Sequence, residues 1–275
     1  MESYIIAEIG INHNGDISLA KNLIKTAAKA GCNAVKFQKR TINEVYSKEE
    51  LDTYRESPWG TTNKEQKEGL EFNMTQYVAL EEYAKKMNLD FIVSCWDLKS
   101  VDNIETNLNV KYHKVASALA THKEFLEKLN KTGKPVILSV GMMTEKEIES
   151  AINILNNVEY VLACTSTYPT KAEEVNLKHI KTLIRKYPDL KVGFSNHYNG
   201  LDACVGATAL GAKCIEFHIT KDRTMYGSDQ VASIQDPDNL VDAIRKMELM
   251  LGSGEKIVYK SEQPIIAKLR KVNNV

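Results

Sequence analysis

Two histidines, His197 and His218, each close a short apolar run, KVGFSNH and CIEFH. The helix-sized segment Leu201 to Leu210 lies between them and carries the small residues Ala203, Gly206, Ala207 and Ala209. Strand, helix, strand at this spacing is one parallel β/α/β step, which sets the two imidazoles side by side at the carboxyl ends of neighbouring strands. A single histidine in an apolar strand is more often a hydrogen-bonded core residue than a ligand. Here Glu216 sits two residues before His218 on the same strand face, and Asp229 follows in a Gly-Ser-Asp loop. Two imidazoles among oxygen donors read as a metal pair.

Lys36 and Lys114 also fall inside apolar runs, VKFQ and YHKVAS. A buried ammonium costs several kcal/mol unless an anion or a carboxylate meets it. Either it makes a structural ion pair with Glu8 or Glu216, or it belongs to an anion site. The strand-end serines Ser94, Ser139 and Ser195, with Ser117 after the Lys114 run, favour a site for phosphate and carboxylate. Gln38 lies two residues after Lys36 and so shares its face, while Ser166, Tyr168 and Asn196 also cluster at run ends and Trp96 could wall a pocket. Cys164 has no basic neighbour in the sequence to activate it as a nucleophile. His13, His113 and His122 read as loop or surface residues.

These residues sit at regular intervals. Eight strand-like runs are visible: Tyr4 to Ile9, Ala34 to Gln38, Asp90 to Cys95, Tyr112 to Ala116, Pro135 to Ser139, Tyr160 to Cys164, Val192 to Ser195 and Cys214 to Ile219. Helical stretches alternate with them, the first being Ser18 to Ala30 with Leu19, Leu23, Ile24 and Ala27 on one face and Gly31 as its C-cap. Eight alternating units predict an α/β fold, a single (β/α)8 TIM barrel over residues 1–275, whose polar residues meet over one mouth. A charged and aromatic stretch, Lys39 to Phe72, is too long for a connection and predicts a long loop insertion after strand 2 with a short helix within it. The tail beyond Leu251 reads as a surface strap.

Bulk properties narrow the function. Thirty-six basic and 36 acidic side chains give a net charge of +0, which offers no footprint for nucleic acid or a membrane surface. The five cysteines form no C-x-x-C pair and most lie in apolar runs, so a reduced cytoplasmic protein is expected. The amino terminus, MESYIIAEIG, has too short an apolar run for a signal peptide or a membrane span.

Taken in order, EIGINHNG (8–15), VKFQ (35–38), YHKVAS (112–117), GKPVILSVGM (133–142), CTSTYPT (164–170), VGFSNH (192–197), IEFHIT (215–220) and GSDQVAS (227–233) resemble the sialic acid synthase family, which includes N-acetylneuraminate, legionaminate and pseudaminate synthases. The resemblance implies condensation of phosphoenolpyruvate with an open-chain aminosugar aldehyde, giving phosphate and a nonulosonic 2-keto acid. Carried onto this sequence, it puts a divalent metal, Mn2+ or Mg2+, on His197 and His218 with Asp229 close by. Lys36, Ser94, Lys114, Ser117, Ser139 and Ser195 would hold phosphoenolpyruvate, and Gln38 would orient it. Glu8, Ser166 and Tyr168 would face the sugar or the reacting carbons, with Glu8 as acid/base, and Asn196 replaces the aspartate of the family's Ser-Asp-His.

Other departures are Leu119, where the family usually has an acidic residue, Phe217 in place of a basic one, and Ser228 in place of a proline. Most members continue into a C-terminal antifreeze-like domain that reaches the partner subunit; this sequence ends at Val275, before any such domain. A homodimer is expected from the resemblance. Two competing readings remain open at this point: a metal-free aldolase or lyase using Lys36 or Lys114 as a Schiff base, and a non-catalytic or partner-dependent binding subunit.

Overall fold

The computed structural model describes residues 2–270. Ten strands run in chain order: β1 (Tyr4–Gly10), β2 (Ala34–Lys39), β3 (Tyr54–Ser57), β4 (Gly60–Thr62), β5 (Asp90–Cys95), β6 (His113–Val115), β7 (Val136–Ser139), β8 (Val158–Cys164), β9 (Lys191–Asn196) and β10 (Cys214–His218). Eight of them close a parallel barrel in the order β1-β10-β9-β8-β7-β6-β5-β2, with helices between successive strands. This is the (β/α)8 fold that the eight-fold alternation predicts, and every barrel strand coincides with one of the apolar runs to within two residues.

The helices form where sequence periodicity and capping agree. The helix Ile17–Ala30 buries Ala20, Leu23, Ile24 and Ala27, starts where the Asp16 side chain accepts from Ser18 and Leu19 N–H, and stops at Gly31 with φ 84. Thr144 and Glu147 form a capping box at the start of Glu145–Ile154. The helix Lys123–Lys131 begins at exposed His122, whose ring nitrogen accepts from the Phe125 N–H at 3.1 Å, as a surface histidine should.

The insertion after β2 carries more structure than the expected loop with one short helix. It folds as three short helices, Ile42–Val45, Lys48–Leu51 and Asn63–Leu70, around an antiparallel β3–β4 hairpin. Two capping boxes, Ser47 with Glu50 and Thr62 with Glu65, start two of those helices; both are too short to show periodicity. The insert docks on the barrel through Trp59, which meets Tyr226 edge-on at 5.6 Å, and through Gly15, where a side chain would overlap the Gly69 carbonyl.

Two histidines lie elsewhere than expected. His13 is buried, stacked on Phe72 at 4.1 Å, because the returning end of the insert closes over it. His113 is buried as well: it alternates with inward-facing Lys114 on β6 and so points into the helix layer, where Nε2 lies 3.1 Å from Glu105. The tail folds into the exposed helix Gln263–Leu269. No helix among the described residues is long and apolar enough to cross a membrane.

Candidate active site

Parallel register stacks the functional side chains. Glu8 on β1 is opposite Lys36 on β2 and His218 on β10; Glu216 on β10 is opposite Ser195 on β9, which is opposite Cys164 on β8. Residues in register on neighbouring strands point the same way, so these side chains share the barrel interior near its carboxyl mouth. One cavity there is lined by Glu8, Lys36, Gln38, Ser94, Lys114, Ser117, Ser139, Ser166, Tyr168, Ser195, His197, Glu216 and His218. Of the other expected site residues, Asp229 reaches the rim beside His218, its Oδ2 3.6 Å from Nδ1. Asn196 does not line the cavity: its side chain turns back to donate to the Tyr198 carbonyl and accept from the Tyr198 N–H.

Both lysines are buried and each meets carboxylate. Lys36 Nζ lies 2.9 Å from Glu8 and 3.8 Å from Glu216, and Lys114 Nζ lies 3.5 Å from Glu216 and 2.7 Å from Ser139 Oγ. Burial works to discharge Lys36, but the Glu216 and Glu8 charges outweigh it and hold the ammonium above its ordinary pKa. Burial prevails at Lys114, with the Lys36 charge adding to it against Glu216, and the pKa falls below the ordinary value. Glu216, despite its burial, is kept ionised by Lys114 and Lys36 well below the usual carboxylate range. Two ammoniums with two carboxylates make a balanced but closely packed set, and an anionic ligand can compete with the carboxylates for the lysines.

Hydroxyls and amides hold this set in place. Ser195 Oγ donates to Glu216 at 3.0 Å, Ser94 Oγ to the Lys114 carbonyl at 3.3 Å, and Gln38 Nε2 to Glu8 at 2.8 Å. Gln38 also accepts from Arg40 at 2.6 Å. Ser117 Oγ accepts from the Gly141 N–H at 3.0 Å. Gly141 itself stands where a side chain would run into Ser166 and Ser117.

The two imidazoles lie side by side at the mouth. Their ring centroids are 5.4 Å apart, with the half-exposed Tyr168 ring 4.0 Å from His197 and 5.5 Å from His218. Nδ1 of His197 lies 2.7 Å from the Thr165 carbonyl, an arrangement that fixes the ring and leaves Nε2 as the nitrogen able to take a metal. Nδ1 of His218 is buried without a hydrogen-bond partner, facing the Asp229 carboxylate. No group of three or more His, Cys, Asp or Glu side chains poised to hold a metal is present among the described residues. What the site offers is two imidazoles with the Asp229 carboxylate beside one of them, nitrogen and oxygen donors of the type that a divalent ion accepts.

Sequence reasoning missed the His197 contact of Cys164 and three residues of the cavity wall. Cys164 has His197 beside it, Nδ1 3.7 Å from Sγ, but that nitrogen carries the hydrogen directed at the Thr165 carbonyl and so faces the sulfur as a donor, not as a base; the contact joins β8 to the residue after β9 and leaves no trace in local sequence. Met142, Ala116 and Ala118 complete the cavity wall with Trp96, and only Trp96 was conspicuous by type.

A closed parallel barrel that gathers lysines, carboxylates and imidazoles at its carboxyl mouth is the layout of a TIM-barrel enzyme. Comparison with known proteins then makes the class particular. The NeuB family model matches residues 23–256. An N-acetylneuraminate-9-phosphate synthase of Mus musculus is 38% identical over 98% of this chain and 76% of its own length. An N,N'-diacetyllegionaminic acid synthase of Campylobacter jejuni is 38% identical over 98% of this chain and 84% of its own. The crystal structure of an N-acetylneuraminic acid synthetase from Leptospira borgpetersenii, in complex with citrate, superposes with a TM-score of 0.85 at 32% identity, covering 99% of this chain and 94% of that one. The chain belongs to the NeuB family and is an enzyme of the sialic acid synthase type.

Proposed function

We propose that the enzyme condenses phosphoenolpyruvate with the open-chain aldehyde of an aminosugar, in a metal-dependent reaction that yields a nonulosonic 2-keto acid and phosphate. The observation that carries the reading is the convergence, in one cavity, of two buried lysines with the His197–His218 pair. Its support from kinship is the naming of the mouse and Campylobacter relatives as synthases of such acids.

In this reading Lys36 and Lys114 hold the phosphate and carboxylate of phosphoenolpyruvate. Ser94, Ser117, Ser139 and Ser195 supply hydroxyls around them, and Gln38 orients the ligand. C3 of phosphoenolpyruvate bonds to the aldehyde carbon, water adds at C2, and the C2–O bond to phosphate breaks. His197 and His218, with Asp229 near, would hold Mn2+ or Mg2+, whose chemistry when bound is to polarise the aldehyde oxygen and favour water attack. Glu8, fixed by Lys36 and Gln38, takes and returns the proton at the aldehyde oxygen or the water. Ser166 and Tyr168 face the sugar.

The experiment is phosphate release from phosphoenolpyruvate on adding a panel of aminosugars to the purified chain, before and after exhaustive chelation. Release that needs both sugar and a divalent ion supports the reading; release that persists unchanged after chelation refutes the metal-dependent reaction.

A further inference from the structure

Arg40 follows β2 directly and opens the insert. Its backbone is pinned at both polar atoms. The N–H donates to the Glu71 carboxylate, 3.3 Å from each oxygen, and the carbonyl accepts from Lys39 Nζ at 2.9 Å, which also lies 2.7 Å from Glu71. The side chain sits over Trp96, its guanidinium carbon 4.0 Å from the ring centroid; Trp96 is a wall of the cavity, and Arg40 is not among the residues that line it. One terminal nitrogen donates to Gln38 Oε1 at 2.6 Å, and Gln38 Nε2 donates in turn to Glu8 Oε1 at 2.8 Å. Glu8 Oε2 lies 2.9 Å from Lys36 Nζ. The guanidinium gains little for itself in this position, since its Nε is buried with no hydrogen-bond partner among the described residues.

A glutamine amide in a polar pocket can turn over, because its oxygen and nitrogen ends have the same shape, unless its neighbours choose between the two orientations. Here both neighbours choose. A guanidinium only donates and a carboxylate paired with an ammonium only accepts, so Arg40 holds the Gln38 oxygen while Glu8 holds the nitrogen. Turning the amide over would set N–H against guanidinium and oxygen against carboxylate. Gly10 shows how closely the Gln38–Glu8 bond is seated: its φ is +53, and a methyl group there would stand 3.0 Å from both Gln38 Nε2 and Glu8 Oε1. Glu8 is thus met at one oxygen by Lys36 and at the other by an amide that Arg40 steadies. We propose that Arg40 is a positioning residue for the condensation: acting through Gln38, it keeps the Glu8 carboxylate where the proton is moved at the aldehyde oxygen or the water, and it ties that carboxylate to the far end of the insert at Glu71. This rests on the synthase reading above and adds a residue that acts from outside the cavity lining.

The test measures phosphate release from phosphoenolpyruvate with the aminosugar panel in the full chain, in Arg40→Met, Arg40→Lys and Gln38→Ala, and in the double variant of Arg40→Met with Gln38→Ala. Arg40→Met keeps a stem over Trp96 but has no donor, and it should lower kcat about tenfold or more while the KM of phosphoenolpyruvate moves less than about twofold. Arg40→Lys keeps a donor and should restore most of the loss. Once Gln38→Ala has removed the amide, Arg40→Met should cost less than about a further twofold, a coupling that packing on Trp96 alone would not produce. An unchanged kcat in Arg40→Met, a loss shared by Arg40→Lys, a loss confined to KM, or two losses that multiply independently overturns the inference and leaves the synthase reading standing. No release by the wild type with any aminosugar overturns both.

Discussion

Lys36 and Glu8 form a buried ion pair, Nζ to Oε2 2.9 Å, in register across the β1–β2 ladder. Removing the cation alone leaves Glu8 and one face of Glu216 uncompensated in a dry interior. Lys36→Met should therefore destabilise the fold by about 3–5 kcal/mol in chemical denaturation. Lys36→Met with Glu8→Gln should recover much of that stability, because a neutral pair replaces an orphaned charge, yet neither variant should bind phosphoenolpyruvate at the wild-type level. Equal stability of the single and double variants would mean that the pair is not coupled.

His197 and His218 offer a second check, one that does not depend on turnover. Mn2+ titrated into the chelated protein should bind at a single site, seen by the loss of free-ion paramagnetic signal. His218→Ala should weaken that binding by about tenfold or more. Asp229→Asn should have a smaller effect, since its oxygen is 3.6 Å from the His218 nitrogen rather than fixed to it. Binding unchanged in His218→Ala would place the ion elsewhere.

His13 sets an acid limit on stability. Burial pushes its pKa down to about 3, against smaller opposing pulls from the Gly10 backbone and Asp16, and its Nδ1 accepts the Gly15 N–H at 3.1 Å, which requires that nitrogen to be unprotonated. The folded pKa lies below the unfolded one of about 6.5, so the unfolded chain binds the extra proton first. Its contribution is complete above pH 6.5 and is lost as pH falls toward 3, at about 1.4 kcal/mol per pH unit. Urea midpoints measured from pH 7.5 to 4.5 should fall more steeply in the wild type than in His13→Gln. Parallel slopes would show that another group sets the acid limb.

What the sequence made legible follows from the range of the physics. Lys36 and Gln38 share a face because a strand alternates every two residues, and the barrel followed from eight repeats of that alternation with helices between. His113 escaped because the same rule sends it outward, and outward in a barrel means into a layer of helices rather than into water. His13 depends on Phe72 and Cys164 on His197, contacts between distant parts of the chain that no local pattern records. Asn196 had the right type and place for a substrate contact, but its amide is spent on the turn at Tyr198. The insert hid its helices because capping boxes of four residues are legible only when a longer apolar face follows them.

Gly141 shows how closely the mouth is packed. It lies just after β7, its N–H donates to Ser117 Oγ, and a methyl group there would fall on Ser166 Oγ, 2.9 Å from Ser117 Oγ and 3.2 Å from Cys164 Sγ. Two of these three obstacles are hydroxyls able to rotate away, so Gly141→Ala should lower stability by only about 1–3 kcal/mol. Rotation carries both hydroxyls off the cavity surface, however, and a displacement near 1 Å among positioning groups can cost about a hundredfold in rate. Steady-state assays should show kcat/KM for phosphoenolpyruvate falling by about that factor while the thermal midpoint shifts by a few degrees. Adding Ser166→Ala removes the worst overlap and should bring back part of the lost rate, a non-additive recovery that a double-mutant cycle measures directly. If the two substitutions simply add, Ser166 is not the group the methyl displaces, and the loss arises instead at the Ser117 hydroxyl that Gly141 holds.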